Sequence, residues 1–144
     1  MSISRKYTSK GGRSAIGGKN YYFRSRWENI YARFLEFLKL SGKIEDWFYE
    51  PTTFWFLRIK RGVRSYKPDF KVIQKDGTHY WVEVKGYLDS KSCTKIKRFK
   101  KYYPQEILCL VRRDWFQKNS AFVLQCCCKM GEEDAQATQE TKFC

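Results

Sequence analysis

Apolar residues between positions 25 and 43 recur every three or four places, at Trp27, Ile30, Tyr31, Phe34 and Leu38. That period predicts a helix with one buried face. Ser25 stands as its N-cap with Glu28 three residues on, the arrangement of a capping box, and Gly42 marks its end. The segment 44–59, "IEDWFYEPTTFWFLRI", is aromatic and β-branched and predicts strand interrupted near Pro51. The basic stretch "RIKRGVRSYK" reads as a loop turning at Gly62. Two alternating runs follow, "DFKVIQ" and "HYWVEVK". A second helix is expected from Asp89 or Ser90 to about Tyr103, with Ile96, Phe99 and Tyr103 as its apolar seam and Pro104 as its end. "EILCLV" (106–111) has the unbroken apolar character of an interior strand. "RRDWFQKNS" suggests a short helix and "AFVLQCCC" a last strand.

The turn between the two alternating runs decides which side chains share a face. A two-residue Asp-Gly turn would set Asp69 opposite Val84. A three-residue loop, Lys75-Asp76-Gly77 with Gly77 in the left-handed region, sets Asp69 opposite Glu83. Directly opposed residues share a face. The three-residue loop is the expectation, because it gathers Asp69, Glu83 and Lys85 on one side. Phe70, Val72, Val82 and Val84 then form the core-facing side. A slip by one residue would split the charged set.

A chain of 144 residues has room for one core. Before Glu28 there is no acidic residue and there are seven basic ones, so residues 1–20 are expected to be a flexible basic arm. A folded domain is expected over 21–128 and a frayed acidic tail over 129–144. Gly12 and Gly17 imitate a phosphate-binding loop, but Gly18 stands where lysine is needed and no strand precedes, which excludes an NTPase. The formal charge of +14 speaks of partners. Nucleic acid ranks first. An anionic membrane surface ranks second, but no basic helix with a clean apolar face supports it. No stretch of 18 apolar residues and no secretory signal is seen, so the expectation is no membrane partner and an intracellular, not secreted, protein. The six cysteines lack a Cys-x-x-Cys pair and the sole histidine, His79, is remote in sequence. Free thiols are expected rather than disulfides or zinc.

A buried charge is costly unless paired or bound to a metal. Asp69, Glu83 and Lys85 lie among Trp81, Val82 and Val84, so the set asks for an explanation. Two carboxylates suffice for Mg²⁺, which takes oxygen ligands and keeps several waters; the Val84 carbonyl is a further candidate ligand. Mn²⁺ is expected to substitute. Lys85 would orient a water or stabilise developing negative charge. Arg58, Lys60, Arg61, Arg64 and Lys67 precede the set, and Lys91, Lys95 and Arg98 follow it on the second helix. They are candidates for contact with a phosphate backbone. Against this stand plainer readings, with Asp69 a turn residue and Glu83 with Lys85 a solvated strand face. Those readings must hold three times at once. Glu28 remains open between a capping residue and a site residue. His79 is expected to be ordinary and exposed, and Gly86 to let the chain bend away.

Pro68-Asp69, thirteen intervening residues, then Glu83-Val84-Lys85 resembles the PD-(D/E)xK nuclease motif. The order of helix, strands, motif, hairpin and basic helix is similar to that of small phage-encoded nucleases in this superfamily. "YKPDF" and "VEVKGYLDS" resemble the matching segments of endonuclease-I-type Holliday junction resolvases. The likeness spans roughly residues 21–112. It implies a restriction-endonuclease-like α/β core, a central mixed sheet flanked by helices. It also implies a catalytic set of Glu28, Asp69, Glu83 and Lys85, with Glu28 in place of the glutamate that such families carry on the first helix. The implied activity is Mg²⁺-dependent cleavage of DNA, structure-selective on branched substrates, by a homodimer in the cytoplasm of a host cell if phage-encoded. Two alternatives stand beside it: a general or sequence-specific endonuclease of the same superfamily, and a non-catalytic basic protein that binds nucleic acid.

Overall fold

The computed structural model describes residues 11–126. They fall into two units that meet at Arg113 and Asp114. The first opens with a hairpin, β1 (Gly12–Ile16) and β2 (Lys19–Phe23), followed by helix α1 (Arg26–Leu40). Strands β3 (Asp46–Tyr49), β4 (Phe54–Trp55), β5 (Ser65–Tyr66), β6 (Phe70–Ile73) and β7 (His79–Val84) come next. Helix α2 (Ser90–Tyr102) and strand β8 (Leu108–Val111) complete it. The fold is mixed α/β, with a central four-stranded sheet of order β3-β6-β7-β8 and flanking helices, compatible with a restriction-endonuclease-like core. The first three strands are antiparallel in sequence of neighbours, and β8 runs parallel to β7. A parallel neighbour needs a crossover, which α2 supplies.

The hairpin at the start corrects the expectation of a flexible arm over 1–20, as far as the described residues reach. Gly17 and Gly18 have φ of 58° and 76° and form a two-residue turn. Both central residues at positive φ are what a tight hairpin requires, and glycine adopts them without strain. The hairpin packs on α1, where Arg33 Nη2 donates to Ser14 Oγ at 2.7 Å. Its aromatic residues pack on β3, with Tyr21 5.3 Å from Trp47 and Phe23 4.8 Å from Tyr49 between ring centroids. Residues 1–10 and the acidic tail lie outside the described residues.

Helix α1 starts as its sequence predicts, with the Ser25 side chain accepting the Glu28 backbone N–H. Gly42, at φ 73°, follows its C-cap Ser41. Its buried residues are Glu28, Asn29, Ile30, Tyr31, Ala32 and Leu35, rotated from the expected set, and Leu38 is only half-buried. This buried side covers one sheet face, where Tyr31 meets Phe70 at 5.6 Å. Phe70, Val72 and Val82 are fully buried there. Burying each such side chain is worth about 1.5–3 kcal/mol.

The other face carries a second core of Phe54, Phe56, Tyr66, Trp81 and Phe99. Phe54 sits at its centre, 4.9 Å from both Trp81 and Phe99 in edge-to-face contacts. The β4–β5 ribbon and α2 therefore close over the sheet side on which the charged set lies. Helix α2 is capped by Asp89, whose carboxylate accepts the Ser92 N–H at 2.7 Å.

Two strand expectations change. β8 is an edge strand, not an interior one, with Cys109 and Leu110 exposed. In the second unit, α3 (Arg113–Lys118) appears as predicted, but residues 120–126 are helical where a strand was expected. "AFVLQC" holds too few β-branched residues to favour a strand, and the Val123 N–H donates to Asn119 O at 3.0 Å. The expected domain limit at 128 lies outside the described residues.

Candidate active site

The hairpin register is the one that gathers charge. Phe70 pairs Val82 and Ile73 pairs His79, which places Asp69 opposite Glu83. Gly77 takes φ 85°, and its N–H donates to Gln74 O at 3.0 Å, closing the three-residue loop. Hydrogen bonds in an antiparallel ladder alternate between successive pairs. The Gln74 N–H bonds Thr78 O, so even-numbered β6 positions bond to β7, and the next even position is Pro68, opposite Val84. Proline has no N–H to give the Val84 carbonyl. The Val84 N–H donates to Asp69 Oδ2, at 2.7 Å. The Pro-Asp pair thus ends the ladder and leaves a strand carbonyl beside two carboxylates.

Asp69, Glu83, Val84, Lys85 and Glu28 all line one cleft of about 540 Å³. Asp69 is only 2% exposed. Burial, then the neighbouring Glu83 and Glu28 carboxylates, push its carboxyl well above the usual range. The Val84 N–H and Arg24 pull the other way. Burial also raises Glu83, against the Tyr66 hydroxyl, Lys85, Lys95 and Arg24. Tyr66 donates to Glu83 Oε2 at 2.8 Å, and burial followed by that carboxylate raises the phenol. Carboxylates brought together out of water favour a proton or a cation among them.

Glu28 makes capping contacts at the start of α1 and also borders the cleft. Its Oε1 accepts from Ser25 Oγ at 3.1 Å, and its Oε2 accepts the Arg24 N–H at 3.1 Å and the Tyr49 hydroxyl at 2.7 Å. It is buried and lines the cleft, with its oxygens already engaged by protein donors. Arg24 and Glu50 carried no sequence signal, yet both line the cleft. The Arg24 guanidinium donates to Glu50 Oε1 and lies 3.4 Å from Asp69 Oδ1. Glu50 sits at φ 45°, a strained conformation for a side-chain-bearing residue, with its N–H on Asp69 O at 2.8 Å. Glu50, just past β3, and Arg24, just past β2, are thereby tied to the motif aspartate.

The basic candidates divide. Lys67 and Lys95 line the cleft. Arg58, Lys60, Arg61, Arg64 and Lys91 are exposed and do not line it. Arg98 is half-buried and donates to Val63 O, so it fastens the 57–64 loop to α2 rather than reaching outward. His79 is a further correction: it is half-buried, with Nε2 2.9 Å from Glu106 Oε2. Glu106 also accepts from Trp81 Nε1 at 2.6 Å. Gly86 does more than bend the chain, because a Cβ there would lie 2.7 Å from the Trp27 ring.

Among the described residues no three or more His, Cys, Asp and Glu side chains converge as a metal-binding group. Asp69, Glu83 and Val84, whose side-chain and backbone oxygens are the candidate donors, line the same cleft. All are hard oxygen donors, and they fit Mg²⁺ or Mn²⁺, which retain waters, better than zinc.

A family model described as "Protein of unknown function (DUF1064)" matches residues 5–121. The chain belongs to this family. The matched DUF1064 region contains every residue of the cleft. A search of curated proteins finds no match. Among the described residues of this DUF1064 chain, no helix is long and apolar enough to cross a membrane.

Proposed function

We propose that this chain is a metal-dependent DNA endonuclease that hydrolyses phosphodiester bonds, selective for branched DNA, acting as an intracellular homodimer. The observation that carries the reading is the opposition of Asp69 and Glu83 at the end of a ladder that Pro68 interrupts, with Lys85 one residue past β7 and in the same cleft.

Asp69, Glu83 and the Val84 carbonyl would hold the ion. When bound, Mg²⁺ supplies Lewis-acid polarisation of a phosphate and a water of lowered pKa. Lys85 stabilises the charge that develops on the phosphate, a role that needs a fixed donor rather than a mobile one. Its backbone is held just past β7, with its N–H bonded to Val111 O at 2.9 Å. Tyr66 orients Glu83. Lys67 and Lys95 bring the backbone into the cleft, and the exposed loop cations extend the positive surface without reading sequence. Symmetric cutting of two strands needs two sites, hence the dimer.

A second reading has one observation in its favour. Arg24 already bridges Glu50 and Asp69, so the acidic set has a partner of its own and could serve only to brace a basic binding surface. Incubating the protein with a labelled four-way junction and a matched linear duplex, in Mg²⁺ and in EDTA, separates the two. Mg²⁺-dependent cutting of the junction supports the enzyme. Equal cutting of both substrates reduces the claim to a general endonuclease. Retention without cutting supports the binding protein.

A further inference from the structure

The cleft holds a group that phosphate hydrolysis does not call for. Trp55 lines it, and this tryptophan is 60% exposed. The two-stranded ribbon explains how. Phe54 pairs with Tyr66 and Trp55 with Ser65, and alternation sends the first pair into the second core. Trp55 and Ser65 lie on the ribbon's other side, and both line the cleft. The backbone below Trp55 is fixed, because the Tyr103 hydroxyl donates to Trp55 O at 2.7 Å and the Tyr103 ring packs on Phe54 at 4.8 Å. The Phe56 N–H, bonded to Arg64 O at 2.8 Å, ties down the next residue.

Single exposed aromatics are ordinary on protein surfaces. This one differs in its neighbours. The same cleft wall carries Lys67, Lys95 and Lys85, all suited to phosphate, and a volume of about 540 Å³, within the range of pockets that take whole organic ligands. An indole standing in water beside phosphate-binding cations is the composition of a single-strand stacking site. Bases inside a continuous duplex are already stacked on one another and offer no free face.

We propose that Trp55 is a stacking platform for an unpaired base next to the scissile phosphate. The substrate class is then DNA with unstacked nucleotides at the cut, such as a gap, flap or junction centre, rather than continuous duplex. The inference rests on the nuclease reading above and narrows it.

The test uses the full chain in EDTA and two probes: a continuous duplex, and the same duplex with a three-nucleotide gap carrying 2-aminopurine. Wild type should prefer the gapped probe and quench the 2-aminopurine, as stacking on indole does. Trp55→Ala should abolish the quenching and reduce the gapped-to-continuous preference about 5- to 150-fold. Trp55→Phe should recover much of the preference, which a merely structural loss would not allow. An unchanged preference in Trp55→Ala, or equal loss on both probes in a variant with a native circular dichroism spectrum, overturns the proposal. Mg²⁺-dependent cutting by wild type in a parallel reaction shows that the nuclease reading survives such a result. Its absence overturns both.

Discussion

The backbone N–H of Val84 donates to Asp69 Oδ2 at 2.7 Å, at the end of the ladder where Pro68 has no N–H to offer the Val84 carbonyl. One bond thus ties the end of β6 to the centre of the Glu83-Val84-Lys85 run and holds a carboxylate out of water. Burial and the two nearby carboxylates raise the Asp69 pKa, so the folded state binds a proton there more readily than the unfolded chain does. In EDTA, stability should therefore be highest below the unfolded value of about 3.9 as far as this group is concerned. It should fall as pH rises toward the raised folded value and level off above it. Each tenfold displacement of the proton equilibrium is worth about 1.4 kcal/mol. Asp69→Asn keeps an acceptor for Val84, and denaturant melts should show that it flattens this slope and is the more stable protein at pH 7.

Divalent metal should reverse the same penalty. An ion that binds only the folded chain stabilises it by about 2.7 kcal/mol at one hundred times its dissociation constant. Thermal melts with Mg²⁺ or Mn²⁺ should move upward against EDTA, and the shift should vanish in Asp69→Ala and Glu83→Ala. A shift that survives both substitutions would place the ion elsewhere.

Tyr66 tests the support around Glu83. Its hydroxyl contacts Glu83 Oε2 at 2.8 Å from within the second core. Tyr66→Phe keeps the ring packing and removes that bond. Loss of such an outer partner is expected to weaken metal affinity about 10- to 100-fold. Calorimetric titration of Mn²⁺ reads this directly, and Tyr66→Phe should retain a cooperative melt.

Lys67 and Lys85 should separate binding from chemistry. Lys67→Ala should lower the slope of log affinity against log salt by about 1, as for one lost phosphate contact. Lys85→Ala should cut the cleavage rate about 10²- to 10³-fold, as for a lost donor to developing charge. Single-turnover rates at saturating protein, beside anisotropy titrations, distinguish the two.

How much of this could be read beforehand follows from where each signal is local. Asp69 opposite Glu83 was legible because a three-residue loop ending in Gly77 fixes the register, and strand period does the rest. The cap at Ser25 and the cap at Asp89 were equally local. The initial hairpin was not read, although Gly17-Gly18 is a turn signal, because the surrounding Lys, Arg and Ser resemble a disordered arm. Arg24, Glu50 and Trp55 were invisible for another reason. Glu50 and Trp55 become cleft residues only when β3 pairs with β6 and β4 with β5, and Arg24, just past β2, joins them through Glu50 and Asp69, partners remote in the chain. The edge position of β8 is likewise a fact of sheet order, which an apolar run of four residues does not encode.

The central claim is that Asp69 and its companions form a metal-dependent phosphodiesterase centre. The most direct measurement is the cleavage of an end-labelled four-way junction by wild type and by Asp69→Asn, each in Mg²⁺ and in EDTA. The account predicts paired nicks near the branch point for wild type in Mg²⁺ alone, and none for the variant although it binds the junction. Cleavage that persists in EDTA, or that Asp69→Asn carries out at the wild-type rate, would contradict it.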